Sequence, residues 1–162
     1  TWTAKSYARI IGANDRLGVG VIGAGVIGTA HLNVIKKLKE SNNLDPVAVV
    51  DCWKTRADKG QQRVGSTHSM TEYKKMLDMK EVDYAVVAVP EHWHWTMTID
   101  AMDAGKAVYC EKPMTHTIPE AQATPITITC GARSGFWGTY RLKNCARITF
   151  RNCRVAKVIS RL

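Results

Sequence analysis

The hexapeptide Gly23-Ala24-Gly25-Val26-Ile27-Gly28 constrains the fold more than any other part of the chain, because it follows the apolar run Leu17 to Ile22 directly and precedes a helical pattern. G-x-G-x-x-G between a strand and a helix is the fingerprint of a dinucleotide-binding βαβ unit. Gly23 permits the tight turn, Gly25 lets backbone approach a pyrophosphate, and Gly28 lets the helix pack close to the strand. The free N–H groups of the first helical turn, at Val26 and Ile27, would then receive the phosphates. Ala30, Val34, Ile35 and Leu38 continue Val26 and Ile27 at helical spacing and are expected on the packed face. A nicotinamide or flavin cofactor is the first expectation.

The context extends this reading. A second strand, Pro46 to Val50, ends at Asp51, where a Rossmann unit places the acid that binds the ribose 2′-hydroxyl of NAD and repels the extra phosphate of NADP. Lys54 and Arg56 stand close enough to pair with such a phosphate, so NADP stays as the second cofactor. The alternative for Asp51 is a helix cap or a turn. Thr55 to Val64 suits a short exposed helix closed by Gly65. Ser69-Met70-Thr71-Glu72 has the form of a capping box, with Ser69 accepting from the Glu72 N–H ahead of Tyr73, Met76 and Leu77. Asp83 to Val89 reads as a strand buried on both faces and stopped by Pro90; Glu91 to Ala104 reads as a helix ended by Gly105, and Ala107 to Cys110 as the next strand. The fold expected is α/β, a Rossmann-type doubly wound parallel sheet. Its ligand crevice would run along the carboxyl ends of the strands, through the Gly23 loop, Asp51, Val89-Pro90 and Cys110 to Pro113.

Charge and cysteines divide the chain of 162 residues. Its net charge is +9, yet residues 1–122 hold 15 Lys and Arg against all 14 acids, while residues 123–162 hold 8 Lys and Arg and no acid. Cys130, Cys145 and Cys153 fall in the same tail, with no C-x-x-C spacing and no His after His116, so no metal site is expected. Five cysteines cannot all pair, which favours a reducing, cytoplasmic setting. No apolar run is long enough for a transmembrane segment.

Three further blocks carry a family resemblance: Val89-Pro90-Glu91-His92-Trp93-His94, Ala101-Met102-Asp103-Ala104-Gly105-Lys106 and Val108-Tyr109-Cys110-Glu111-Lys112-Pro113. Together with the glycine loop they resemble the Gfo/Idh/MocA oxidoreductases, the glucose-fructose oxidoreductase and inositol dehydrogenase family, over residues 15–122. The resemblance implies NAD or NADP in this domain and hydride transfer to or from a sugar or cyclic polyol. Pro90, His94, Glu111 and Lys112 would lie beside the nicotinamide, with His94 walling the site and Lys112 polarising a substrate oxygen as a catalytic residue. His92 is expected in solvent, and Trp93 and Trp95 packed against neighbouring structure. The lead-in, residues 1–14, resembles that of bacterial members exported by the twin-arginine route, the alternative to the cytoplasm.

Departure from the family is expected after Gln122. Thr117-Ile118-Pro119-Glu120 is a capping box with Pro in the first turn, which announces a helix, but Pro125 falls only a few residues in, so the helix is expected not to follow, and Ile126 to Thr129 alternate like a strand. The resemblance implies a second domain with a D-x-x-x-H catalytic pair, and no Asp occurs beyond Asp103. Residues 123–162 thus read as a basic tail outside the family pattern, from a shifted frame or a misjoined segment, on a truncated and catalytically incomplete domain; a sugar or polyol would be a partner only with a second domain supplied. The competing reading takes Arg133, Arg141, Lys143, Arg147, Arg151, Arg154, Lys157 and Arg161, interleaved with Phe136, Trp137, Tyr140 and Phe150, as a surface for nucleic acid or anionic lipid. Val155, Val158, Ile159 and Leu162 would add an amphipathic face to it. A nucleic-acid partner is the less favoured expectation.

Overall fold

Six parallel strands form one sheet in a computed structural model that describes residues 16–123 and 129–130. Expectations placed on residues 1–15, 124–128 and 131–162, among them the Pro125 break and the basic aromatic surface, lie outside the described residues. The strands are β1 Leu17–Ile22, β2 Leu44–Val50, β3 His68–Met70, β4 Tyr84–Val87, β5 Ala107–Cys110 and β6 Thr129–Cys130, in the order β3-β2-β1-β4-β5-β6. The helices are α1 Val26–Leu38, α2 Lys54–Val64, α3 Tyr73–Leu77, α4 His94–Asp103 and α5 Ile118–Ala123.

The near-continuous apolar strands have a direct cause: each sheet face carries its own core. Val19, Val21, Val49, Val86 and Tyr109 meet Leu32 and Ile35 of α1 and Val64 of α2 on one side. Ile22, Val50, Val87, Val108 and Cys110 meet Met76 and Leu77 of α3 and Ala101 of α4 on the other. Adjacent residues such as Val86 and Val87 therefore bury in opposite directions, and each fully buried aliphatic side chain contributes roughly 1.5–3 kcal/mol. Strand order reverses between β1 and β4, so a crevice opens at the carboxyl edge there.

Strand β2 begins two residues before the expected start, and it contains Pro46, which has no N–H to donate. The register with β1 slips at that point, Val19 pairing with Pro46 and Gly20 with Ala48, and the irregularity accommodates the missing donor. Beyond it the rows realign. Ile22 pairs with both Val50 and Val87, and Val87 with Cys110, so four loops leave the sheet from one row.

Helix ends follow local chemistry at most points. Gly65 closes α2 at φ 67°, its N–H donating to Gln61 O at 2.8 Å. The Thr117 box forms: the Glu120 N–H donates to Thr117 Oγ1 at 3.3 Å, and the His116 and Thr117 N–H groups donate to Glu120 Oε2 at 2.7 and 3.2 Å. It opens α5, so the expectation that no helix follows the box is corrected: Ile118–Ala123 forms a short helix that is complete before Pro125 is reached. The Glu91–Ala104 helix is divided, with a 3-10 turn at Glu91–Trp93 before α4.

The Ser69 capping box does not form. His68–Met70 pairs with Ala48–Val50 as β3, and the Ser69 hydroxyl turns to Asp58 and Lys54 of α2 instead. Glu72 caps α3 without a side-chain bond. Val26 and Ile27 are likewise not core residues: they are 88% and 53% exposed, because the first turn of α1 projects past the sheet edge, Ala30 one turn on is exposed too, and Gly28, His31, Leu32 and Ile35 form the buried face. Trp95 is half-buried, whereas Trp93 is exposed beside His92.

Helices α3 and α4 are tied by the Tyr73 hydroxyl, which donates to Asp100 Oδ2 at 2.6 Å. Burial, and then the bond to Asp100, push the phenol up to about 12 from an ordinary 10. The unfolded chain ionises first, so this contribution to stability is full below pH 10 and is lost as pH rises through about 12. The excess stability of wild type over Tyr73→Phe in urea is expected to shrink over that window; a constant gap would show that the bond does not depend on the phenol proton.

Candidate dinucleotide-binding site

The glycine loop is built by close backbone approaches at two of its three glycines. Gly23 sits at φ 95°, its N–H donating to Val50 O at 2.7 Å, and a Cβ there would meet Ala88 O at 2.4 Å. Gly28 is closer still, since a Cβ would lie 1.8 Å from Gly23 O. Its task is thus to let α1 fold back onto the loop's own carbonyl, more than to contact the strand. Gly25 faces the other way: a Cβ there would meet nothing within 4 Å.

That open side is a shallow groove of about 400 Å³ lined by Ala24, Gly25, Val26, Thr29 and Arg56. Above it stand the first N–H groups of α1, which lack intrahelical acceptors by the geometry of a helix start and receive no side-chain cap from Gly25. The positive end of the helix dipole, unprotected backbone donors, the Arg56 guanidinium and two exposed apolar side chains suit a ligand that is anionic at its centre and flat at its ends. A dinucleotide fits this donor set. Of the two cations flanked by sequence, only Arg56 reaches the groove. Lys54 is taken up by Asp58 and Ser69, and the Lys54 bond, followed by the Ser69 bond, holds the Asp58 carboxyl below its usual range. Arg56 also lies over the exposed Trp53 ring at 4.8 Å.

Asp51 is buried, and its carboxylate is partly spent on protein. Oδ2 accepts the Ala24 N–H at 2.9 Å and Oδ1 the Trp53 N–H at 2.9 Å. The ribose and turn readings of Asp51 are therefore not exclusive, because two oxygens offer about four acceptor positions.

At the far end of the row, Glu111-Lys112-Pro113 leaves β5 beside the turn at Val89-Pro90. Pro90 and Lys112 are exposed, and the Lys112–Pro113 peptide is cis. Glu111 Oε1 accepts from His31 Nε2 at 2.6 Å and from the Tyr109 hydroxyl at 3.2 Å, and Oε2 accepts the Lys112 N–H at 3.3 Å. His94 differs from expectation. It is 2% exposed, with Nδ1 2.6 Å from Pro113 O and Nε2 2.8 Å from Val89 O, so both ring nitrogens face backbone and the ring holds the two loops together from behind. Carbonyl oxygens only accept; a neutral ring serves one of them and a doubly protonated ring both.

His31 was not among the residues expected at the site. The sequence did hold a signal: a histidine on the packed face of an amphipathic helix must find a buried partner. What it does not give is the partner's identity, 80 positions away.

Comparison with known proteins agrees with this geometry. The model of the Gfo/Idh/MocA group, described as an oxidoreductase family with an NAD-binding Rossmann fold, matches residues 17–126. Inositol 2-dehydrogenase 4 of Saccharopolyspora erythraea is 32% identical over 103 residues, 64% of this chain and 30% of that protein. Among solved structures, GenD2 from gentamicin A biosynthesis, in complex with NAD, is 29% identical with a TM-score of 0.61, over 67% of this chain and 30% of that one. Levoglucosan dehydrogenase in complex with NADH is 26% identical with a TM-score of 0.62, over 67% and 31%. The chain thus spans about 30% of the length of these relatives. With its glycine loop, its strand order and the matched span all in agreement, the chain belongs to the Gfo/Idh/MocA oxidoreductases and carries their NAD-binding Rossmann domain.

Proposed function

We propose that this domain serves an oxidoreductase that transfers a hydride between NAD(H) and a hydroxyl-bearing carbon of a sugar or polyol. The observation that carries the reading is the row of loop starts at Ile22, Val50, Val87 and Cys110, which sets the glycine loop and the Glu111-Lys112-Pro113 loop on one edge of the sheet. The relatives named for inositol and levoglucosan support the substrate class. Bound NAD(H) would supply the hydride acceptor or donor. The residues of this chain bind and orient: the α1 N–H groups and Arg56 hold the diphosphate, Asp51 takes the ribose diol, and Pro90 and Glu111 border the nicotinamide end. His94 acts there through the Val89 and Pro113 carbonyls. Lys112 is the catalytic residue, its ammonium stabilising the oxygen that gains charge as hydride leaves or arrives.

Fluorescence titration with NADH and NADPH, followed by an absorbance assay of NAD reduction on inositol, levoglucosan and a panel of sugars, tests this. Saturable NADH binding is expected of this chain, and polyol-dependent reduction once a relative's substrate domain is joined to it, falling about 100-fold in Lys112→Ala with NADH affinity kept. Absence of saturable NADH binding by a folded chain would remove the reading, and binding without reduction by any polyol or sugar in the joined protein would remove the substrate class. Tighter binding of NADPH would assign Arg56 to a 2′-phosphate and overturn the preference for NAD.

A further inference from the structure

We propose that His31 is a positioning residue that couples the phosphate-binding helix to the nicotinamide end of the site by fixing the Glu111 carboxylate. The inference rests on the dinucleotide reading and goes beyond it.

Three observations carry it. First, one helix touches both ends of the site. The first turn of α1 offers its N–H groups to the groove, and His31, six residues after Gly25 and so about 9 Å along the axis, reaches Glu111. Second, the contact is sheltered: the side chains of His31 and Glu111 are only 6% and 18% exposed, and the His31 ring packs edge-on against Tyr109 with centroids 5.2 Å apart. A carboxylate only accepts, so the proton must sit on Nε2, and the ring is fixed in both orientation and tautomer. Third, Glu111 is held by three donors from three places: His31 Nε2 on α1, the Tyr109 hydroxyl on β5 and the Lys112 N–H on the loop itself. A carboxylate so constrained has one orientation, and the same constraint reaches Lys112 through its peptide N–H. Any shift of α1 as it receives a diphosphate is thereby passed to the loop that carries Lys112.

A histidine that merely stabilised α1 would affect every ligand of the glycine loop alike. ADP and NADH separate the two roles, because both use the diphosphate groove but only NADH extends to Glu111 and Lys112. In His31→Leu, which keeps apolar contact with Tyr109 and removes the donor, NADH should bind about tenfold more weakly while ADP stays within about twofold. His31→Gln, whose side-chain amide can donate to the same oxygen, should recover most of the NADH affinity. Tyr109→Phe removes another donor to Glu111 while keeping the ring that packs against His31; a selective loss for NADH of about threefold is expected there, and this variant decides the matter if His31→Leu fails to fold. Equal losses for ADP and NADH in these variants, with wild type binding both, would overturn the coupling and leave the cofactor site standing. Failure of wild type to bind either ligand would overturn both the coupling and the dinucleotide reading beneath it.

Discussion

Gly28→Ala is expected to abolish measurable NADH binding and to destabilise the domain by about 3 kcal/mol, the upper part of the range for overpacking. The added methyl would sit 1.8 Å from the Gly23 carbonyl oxygen, which is backbone and cannot rotate away. Gly23 in turn is held by its N–H bond to Val50 O and by the close Ala88 carbonyl, so the strain cannot be relieved on the loop side. Relief must come from α1 lifting, which takes its first-turn N–H groups away from the groove. Gly25→Ala is the control, because its methyl would enter open space: the fold should be kept, and only the approach of the ligand impeded. Urea denaturation and NADH titration of both variants check this. An alanine at 28 that left stability and binding within twofold of wild type would show that the helix start is not seated on the loop in this way.

Asp51→Ala carries the second large effect. The carboxylate accepts the Ala24 and Trp53 N–H groups from a position only 9% exposed, and removing it leaves both donors without that acceptor. Hydrogen bonds to a charged group contribute about 1.5–3 kcal/mol each, and truncation exposes part of the site to water, so a net loss of about 3 kcal/mol is expected. NADH affinity should fall by at least tenfold, since Ala24 lines the groove and the anchor of its peptide would be gone. Asp51→Asn discriminates structure from recognition. Its single carbonyl oxygen can serve one N–H while its amide nitrogen faces the other donor, so a stability loss close to that of alanine is expected. If Asp51→Ala bound NADH as wild type does, Asp51 would be a turn residue and the ribose role would fall.

How far the sequence reached follows from the range of each interaction. Strands β1 and β5 matched their apolar runs, because burial on both faces leaves no polar positions to blur the pattern. Gly65 and the Thr117 box were legible because their hydrogen bonds close within four residues or fewer. Ser69 shows the limit of such local signals: the same S-x-x-E pattern lost to β3 pairing with β2, a contact between segments twenty residues apart in sequence. Val26 and Ile27 kept helical spacing yet stand in solvent, because periodicity does not say where a sheet ends.

The site divides along the same line. The sequence by itself determined the glycine loop, the acid after β2, the Glu111-Lys112-Pro113 loop and their common edge, since strand order in a doubly wound sheet follows from short right-handed crossovers. Only tertiary structure decided that Arg56 and not Lys54 faces the groove, that Asp51 anchors Ala24, that His94 spans two carbonyls, and that His31 grips Glu111. Each of these depends on side chains from distant segments meeting at a few ångströms. Pattern along a chain specifies which face a residue occupies; only packing specifies what it meets there.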